Sequence, residues 1–268
     1  ILLLLCLPFI GFGQNVNIPD ANFKAYLVGN SSINTNGDTE IQVSEANAFS
    51  GAIYYTSNNC TDLTGIEAFT ALTILFCHHN LLTNLDLSQN TALITLQCHY
   101  NQLTSLDLSN NTALTEASVS INQLTSLDVS GATALQYLGC GQNQLTSLDV
   151  SQNTALINLG CDANQLTTLD VSQNSALELL HCYGNQLTAL NVFGATALTE
   201  FQCGMNNLTT LDVSSNTHLF QFLCSSNQLT SLDVSNNTNL FILNCLDNQI
   251  TSLDVTQNTA LSDIYCSD

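Results

Sequence analysis

The chain has 268 residues and a formal charge of −20, with 21 Asp and Glu against a single Lys or Arg, Lys24. Such a surface repels phosphate backbones and anionic headgroups, which excludes nucleic acid and an acidic bilayer as partners. Hydrophobic residues make up 45% of the chain and charged residues only 8%. It can therefore bury a core and coat it with neutral polar groups, unlike a disordered acidic tail.

Residues 1–13, ILLLLCLPFIGFG, are an apolar run that ends in small residues at Gly11 and Gly13. This is the pattern of the hydrophobic region and cleavage zone of a secretory signal peptide, and it is too short to span a bilayer. No Met or basic segment precedes it, so truncation at this end is expected. Leu5 before Cys6, and the apolar residues after it, argue against lipidation of that Cys.

Residues 19–28 read as a helix: Pro19 suits a first turn, Phe23 and Leu27 share a face, and Gly29 can end it. The next stretch spaces side-chain oxygens at Asn34, Asn36, Asp38, Gln42 and Glu45, with the backbone carbonyl of Glu40 between them and Ile41 as an apolar plug. Oxygen donors at alternate positions closing on a carboxylate suit a calcium ion; a polar turn between two cap helices is the alternative. Residues 43–49 can start the exit helix. Residues 50–71 are transitional, and residues 15–71 together read as an amino-terminal cap over the repeats that begin at Leu72.

From Leu72 the chain repeats every 21 residues. Leu72, Leu93, Leu114, Leu135, Leu156, Leu177, Leu198, Leu219, Leu240 and Leu261 mark nine full copies over 72–260 and a partial tenth over 261–268. A fixed period of this size signals a solenoid. Each copy reads L-x-x-L-x-C-x-x-N-x-L, then T-x-L-D-(L/V)-S-x-N. The triplets Leu96-Gln97-Cys98 and Leu106-Asp107-Leu108 alternate with period two, so each can form a short strand with its outer residues inward. Asn101 and Asn111 come after them, where an Asn can bond nearby backbone groups and tolerate unusual dihedrals. A lone coil has nothing to bury its leucines against, so neighbours must stabilise one another. The expected fold is a mainly β repeat solenoid of 21-residue coils with two short parallel strands per coil, behind a small helical cap. No capping segment is evident after residue 260, so the chain is expected to continue beyond Asp268.

The half L-x-x-L-x-C-x-x-N-x-L resembles the core of leucine-rich repeats. The second half, Leu103 to Asn111, nearly repeats it, and this nesting looks like the bacterial 21-residue subtype called IRREKO. The resemblance spans residues 72–268. It implies export or surface display in a Gram-negative, Bacteroidetes-like host. It leaves no room for the helix of common leucine-rich repeats, which implies a straighter rod. The 34–45 loop looks like an EF-hand or dockerin-type calcium loop. Thr39 stands where such loops place glycine and Asn34 replaces the leading Asp, departures that imply weak binding.

Nine of the 11 cysteines lie on the lattice, namely Cys77, Cys98, Cys140, Cys161, Cys182, Cys203, Cys224, Cys245 and Cys266, and Val119 fills the gap. An apolar stand-in points to packing. Stacked thiols can approach disulfide distance, but parallel inward side chains suit a bridge poorly, and no C-x-x-C pair offers a metal clamp. Buried free thiols are expected.

Side chains around the first triplet vary between copies while the second half hardly does. Phe76, His78, His79, His99 and Tyr100 make an aromatic-rich patch there, and Tyr137, His181 and Tyr183 lie further along. Amphipathic rings suit contact with proteins or glycans; neutral drift on a solvated face is the alternative. The three histidines can bind a metal, but no carboxylate or Cys spacing supports it. On the other half, Asp86, Asp107, Asp128, Asp149, Asp170, Asp212, Asp233 and Asp254 form a column with Asn191, read as a solvated, hydroxyl-bonded ladder with weak cation binding as the sharper alternative. No nucleophile and histidine pairing, phosphate loop or zinc-hydrolase motif occurs, so no enzyme activity is expected. The expected function is an exported or cell-surface binding module for protein or glycan ligands. A rigid spacer or accessory arm is the alternative. Ice binding by Thr83, Thr104, Thr125 and Thr146 is a minor one, disfavoured by the adjacent Asp column.

Overall fold

The computed structural model describes residues 13–266. The signal-peptide reading up to residue 12, Cys6 included, lies outside the described residues.

Helix α1, Ala21–Val28, starts at Asp20, whose carboxylate accepts from the N–H groups of Asn22 and Phe23 at 2.9 and 2.8 Å. A carboxylate there satisfies donors the helix itself leaves open. Pro19 thus precedes the cap and does not sit in the first turn, because Asp20 supplies the better start. Phe23 and Leu27 are fully buried. Helix α2, Val43–Ala48, opens with the Glu45 carboxylate reaching back to accept from the Gln42 N–H at 3.0 Å, one arm of a capping box.

Beyond the helices, three-residue strands stack in chain order into one 11-stranded parallel sheet. It begins at Ala52–Tyr54, which pairs in register with Ile74–Phe76, so the ladder starts inside the segment read as the cap. It continues through Thr95–Gln97 and Glu116–Ser118 to Asp263–Tyr265. The middle residue of each strand is buried, except in the last, where Ile264 is exposed. Leu75 stacks on Leu96, Leu96 on Ala117, and Phe201 on Phe222 with rings 5.2 Å apart. The result is one continuous core from Val16 to Cys245.

The first strand of each coil ends in a left-handed turn. His79, Tyr100, Ile121, Gln142, Ala163, Met205, Ser226 and Asp247 have φ between 50° and 56° there, and Gly184 takes the same place. The Asn after it does not itself adopt this conformation but holds it. Asn164 Oδ1 accepts from the N–H of Leu145 in the preceding coil at 3.0 Å. Its Nδ2 donates to the carbonyls of Cys161 and Cys140, both at 3.1 Å. The same staple recurs at Asn101, Asn143, Asn185, Asn206 and Asn227.

The second half departs from the expectation of a strand in every coil. Among the described residues it pairs only twice: Ser105–Asp107 with Ser126–Asp128, and Thr168–Asp170 with Ala189–Asn191. A second Asn column explains the difference. Asn174 Nδ2 donates to the carbonyls of Val150 and Asn153 in the preceding coil at 3.0 and 2.9 Å, and Asn90, Asn111, Asn153, Asn216, Asn237 and Asn258 do likewise. These side chains stand between coils. In two coils the Asn is replaced by Ala132 or Ala195, each preceded by glycine. A Cβ on Gly131 would overlap the carbonyl of Ser109, and one on Gly194 that of Ser172. Without the wedge the backbones close up and bond directly, as in Leu108 N–H to Asp128 O at 2.8 Å and Val171 N–H to Asn191 O at 2.9 Å. These are the two coils that carry the extra ladders.

The cysteine column is fully buried from Cys77 to Cys224, and every Cys among the described residues is free. Burial pushes the Cys98 and Cys140 thiols up to about 12, so they pack as neutral groups and are poor nucleophiles. Replacing Cys161 by Val, as the chain itself does at Val119, should change stability by less than about 1 kcal/mol. Cys161→Ser should cost about 1–3 kcal/mol, because a hydroxyl there gains no partner. Urea unfolding of both variants checks the order, and Ser better tolerated than Val would contradict a packing role.

Candidate functional site

In each coil the two outer residues of the first strand and the turn after it face outward, and the repeat brings the same positions of successive coils side by side. This places His78 over His99, with rings 4.5 Å apart and nearly parallel, and His79 over Tyr100 at 4.3 Å. His79 meets His99 edge-on at 5.7 Å. Phe76 lies 6.3 Å from His78. Tyr54 extends the cluster by an edge contact with Phe76 at 5.1 Å. The structure therefore gathers Phe76, His78, His79, His99 and Tyr100 into one surface. Sequence reasoning missed Tyr54 because its strand is offset by 22 residues, Ile53 pairing with Leu75; one added residue hides it from a 21-residue count.

Burial and the neighbouring rings push the pKa values of His78 and His99 below the ordinary imidazole value. His99 Nδ1 lies 3.2 Å from Ser118 Oγ. Tyr137 is exposed on its own strand and joins no ring contact. His181 and Tyr183 belong to a separate, polar cluster. His181 Nε2 is 2.9 Å from a Glu200 oxygen, and the Asp162 carboxylate beside Tyr183 raises its phenol pKa. A third exposed group went unread: Phe220 and Phe241 stack at 5.0 Å. They stand 21 residues apart, just after lattice leucines, and tabulating that column would have found them.

The 34–45 loop closes on itself. Asn36 Nδ2 and Gln42 Nε2 both donate to Asp38 Oδ2 at 3.0 Å, so these three side chains converge. Asn34 Oδ1 accepts from Gly37 N–H and its Nδ2 donates to the carbonyls of Val28 and Asp38. The Glu40 carboxylate pairs with Lys24 Nζ at 2.6 and 2.7 Å. Glu45 is turned to the backbone, accepting from the N–H groups of Thr35, Asn36 and Gln42 and from the Thr35 hydroxyl. Burial opposes its ionisation, but those hydrogen bonds outweigh burial and lower its pKa.

On the second half, each Asp of the column accepts from the N–H two residues on, as Asp107 does from Ser109 at 2.8 Å and Asp149 from Ser151 at 2.9 Å. Hydrogen bonds from the Ser109 side chain and backbone hold the Asp107 carboxyl below its usual range. The column thus has a local turn-forming role.

No protein-family model and no curated protein matches the sequence. Solved structures do. The functional domain of InlJ from Listeria monocytogenes, described as including a cysteine ladder, is 38% identical over 94% of this chain and 61% of that one, with a TM-score of 0.69. A leucine-rich repeat protein of Leptospira interrogans is 29% identical over 78% of this chain and 58% of that one, with a TM-score of 0.72. The leucine-rich repeat ectodomain of a membrane receptor kinase from Arabidopsis thaliana, in complex with Casparian strip integrity factor 2, matches at a TM-score of 0.60 and 19% identity over 85% of this chain and 34% of that one. The chain thus spans less than two thirds of each. The fold is that of a leucine-rich repeat solenoid. Among the described residues no helix is long and apolar enough to cross a membrane.

Proposed function

We propose that this chain is an exported protein-binding module whose contact surface is the first-strand face, centred on Tyr54, Phe76, His78, His79, His99 and Tyr100. The observation that carries this reading is the ring cluster itself: aromatic and imidazole side chains packed on one another, on a sheet whose backbone is already ordered. Preordered rings lose little entropy on binding, and Tyr is among the residue types that dominate interface energetics. Export rests on the apolar leader-like run at residues 1–13. A spacer would need no such cluster. Ice is not the favoured ligand: the Asp column runs beside the Thr column, and the Thr125 and Thr188 hydroxyls already donate to carbonyls of the preceding coil at 3.2 and 3.3 Å. A photo-cross-linking residue at Tyr100 should trap a protein partner, whereas the same residue at exposed Ser126 should not. Equal trapping from both would remove the reading.

A second reading concerns the 34–45 loop, favoured by the convergence of Asn36, Asp38 and Gln42. We infer weak calcium binding there, in the roughly 10⁻⁴–10⁻³ M range of extracellular modules, with Glu45 kept on its backbone donors. Millimolar calcium should raise the melting temperature of the wild type and not of Asp38→Asn; equal responses would sink it.

A further inference from the structure

The potential ligand atoms of His78, His79 and His99 all lie within 4.8 Å of one another. We propose that these three side chains bind one divalent transition-metal ion, zinc being the ion this donor set suits, with water completing the coordination. The proposal stands independently of the protein-binding reading.

The scaffold is fixed before any ion arrives. His78 and His99 occupy the same position in successive coils, and His79 N–H donates to the His99 carbonyl at 3.1 Å. Zinc binds imidazole nitrogen at about 2.0–2.1 Å, which sets tetrahedral ligands about 3.3 Å apart. Bringing the three nitrogens that close needs side-chain rotation, chiefly a tilt of the stacked His78 and His99 rings away from parallel.

Two further observations point the same way. His99 Nδ1 is 3.2 Å from Ser118 Oγ, and a metal-bound histidine ordinarily gives its other nitrogen to such a partner. His78 Nδ1 is buried without a hydrogen-bond partner, an arrangement native proteins seldom tolerate and one that a cation would satisfy. A chain with a formal charge of −20 concentrates cations around itself. Three nitrogen donors without a carboxylate select zinc, copper or nickel over calcium and magnesium, which prefer oxygen.

The test is calorimetric titration of the metal-stripped chain with zinc chloride near neutral pH, with millimolar magnesium present to occupy the acidic column. One ion per chain is expected. His99→Gln should weaken binding by more than the about 10–100-fold that losing a hydrogen-bond partner of a ligating histidine costs, and Ser118→Ala by about 10-fold. His181→Gln should leave it unchanged. His79→Asn keeps a residue tolerant of the left-handed turn and provides a second ligand deletion if His99→Gln fails to fold. Cobalt in place of zinc should give the visible absorption of a tetrahedral site, lost in either variant. Absence of saturable zinc binding overturns the proposal, as does zinc binding unchanged in the ligand variants, which would assign the ion to carboxylates.

Discussion

Gly131→Ala should destabilise the solenoid by about 3 kcal/mol, the upper end of what overpacking costs. Its added methyl would overlap the Ser109 carbonyl oxygen, a backbone atom that cannot rotate away. Relief requires lifting the coil, and lifting breaks the direct bonds that close Ser105–Asp107 onto Ser126–Asp128. The chain itself suggests the rescue. Wherever a coil has Asn in the wedge position, the preceding residue carries a side chain, as in Gln89-Asn90, Asn110-Asn111 and Gln173-Asn174; wherever Ala stands there, glycine precedes it. Gly131→Gln with Ala132→Asn should therefore recover most of the loss, ending within about 1 kcal/mol of the wild type. In that double variant the amide of Leu108, which bonds to the Asp128 carbonyl, should lose hydrogen-exchange protection. A double variant no more stable than Gly131→Ala would contradict the idea that Asn spaces the coils.

Asn164→Ala should cost about 2–4 kcal/mol. The substitution leaves the Leu145 N–H without its acceptor, and a buried orphan donor costs about 1–3 kcal/mol by itself. The two carbonyls are less affected, because Cys140 O still accepts from Asn143 and Cys161 O from Asn185. The same substitution in the other column, Asn174→Ala, should cost only about 1 kcal/mol. Asn174 Oδ1 has no partner to lose, and Val150 O keeps the N–H of Asn153. Both positions read as buried Asn after a short triplet, so a propensity argument predicts equal effects. Chemical denaturation of the two variants separates the accounts, and equal losses would show that the staple at Asn164 has no special role.

These two cases also show what the amino-acid pattern reveals and what it hides. The 21-residue period, the leucine columns and the Cys column with its Val119 exception made the stacked core legible, because inward side chains must repeat for coils to seal. The middle residue of every first strand is fixed by that same requirement. Second-half pairing was not legible from the L-D-L triplet. It depends on whether Asn or Gly-Ala lies a few residues later, a contest between a side-chain wedge and direct backbone bonding. The histidine cluster was visible as a set of varying residues, but its convergence was not. Spacing along the chain shows no ligand pattern, because His78 and His99 meet across coils. Glu45 stands where an ion-binding loop places its closing carboxylate, and the same spacing serves a capping box, so the sequence alone does not separate the two.

The most direct test of the central claim compares partner retention by three forms of the full chain. These are the wild type, a variant with Phe76, His99 and Tyr100 all changed to Ala, and a control with exposed second-half residues Thr104 and Ser126 changed to Ala. Each is immobilised and exposed to the same mixture of extracellular proteins, with folding verified by circular dichroism. A first-strand binding face predicts a partner held by the wild type and the control and lost by the triple variant. The affinity drop should exceed about 30-fold, since aromatic anchors of this kind are each worth about 2 kcal/mol or more. A partner retained by the triple variant and lost from the control would place binding on the second half and contradict the account.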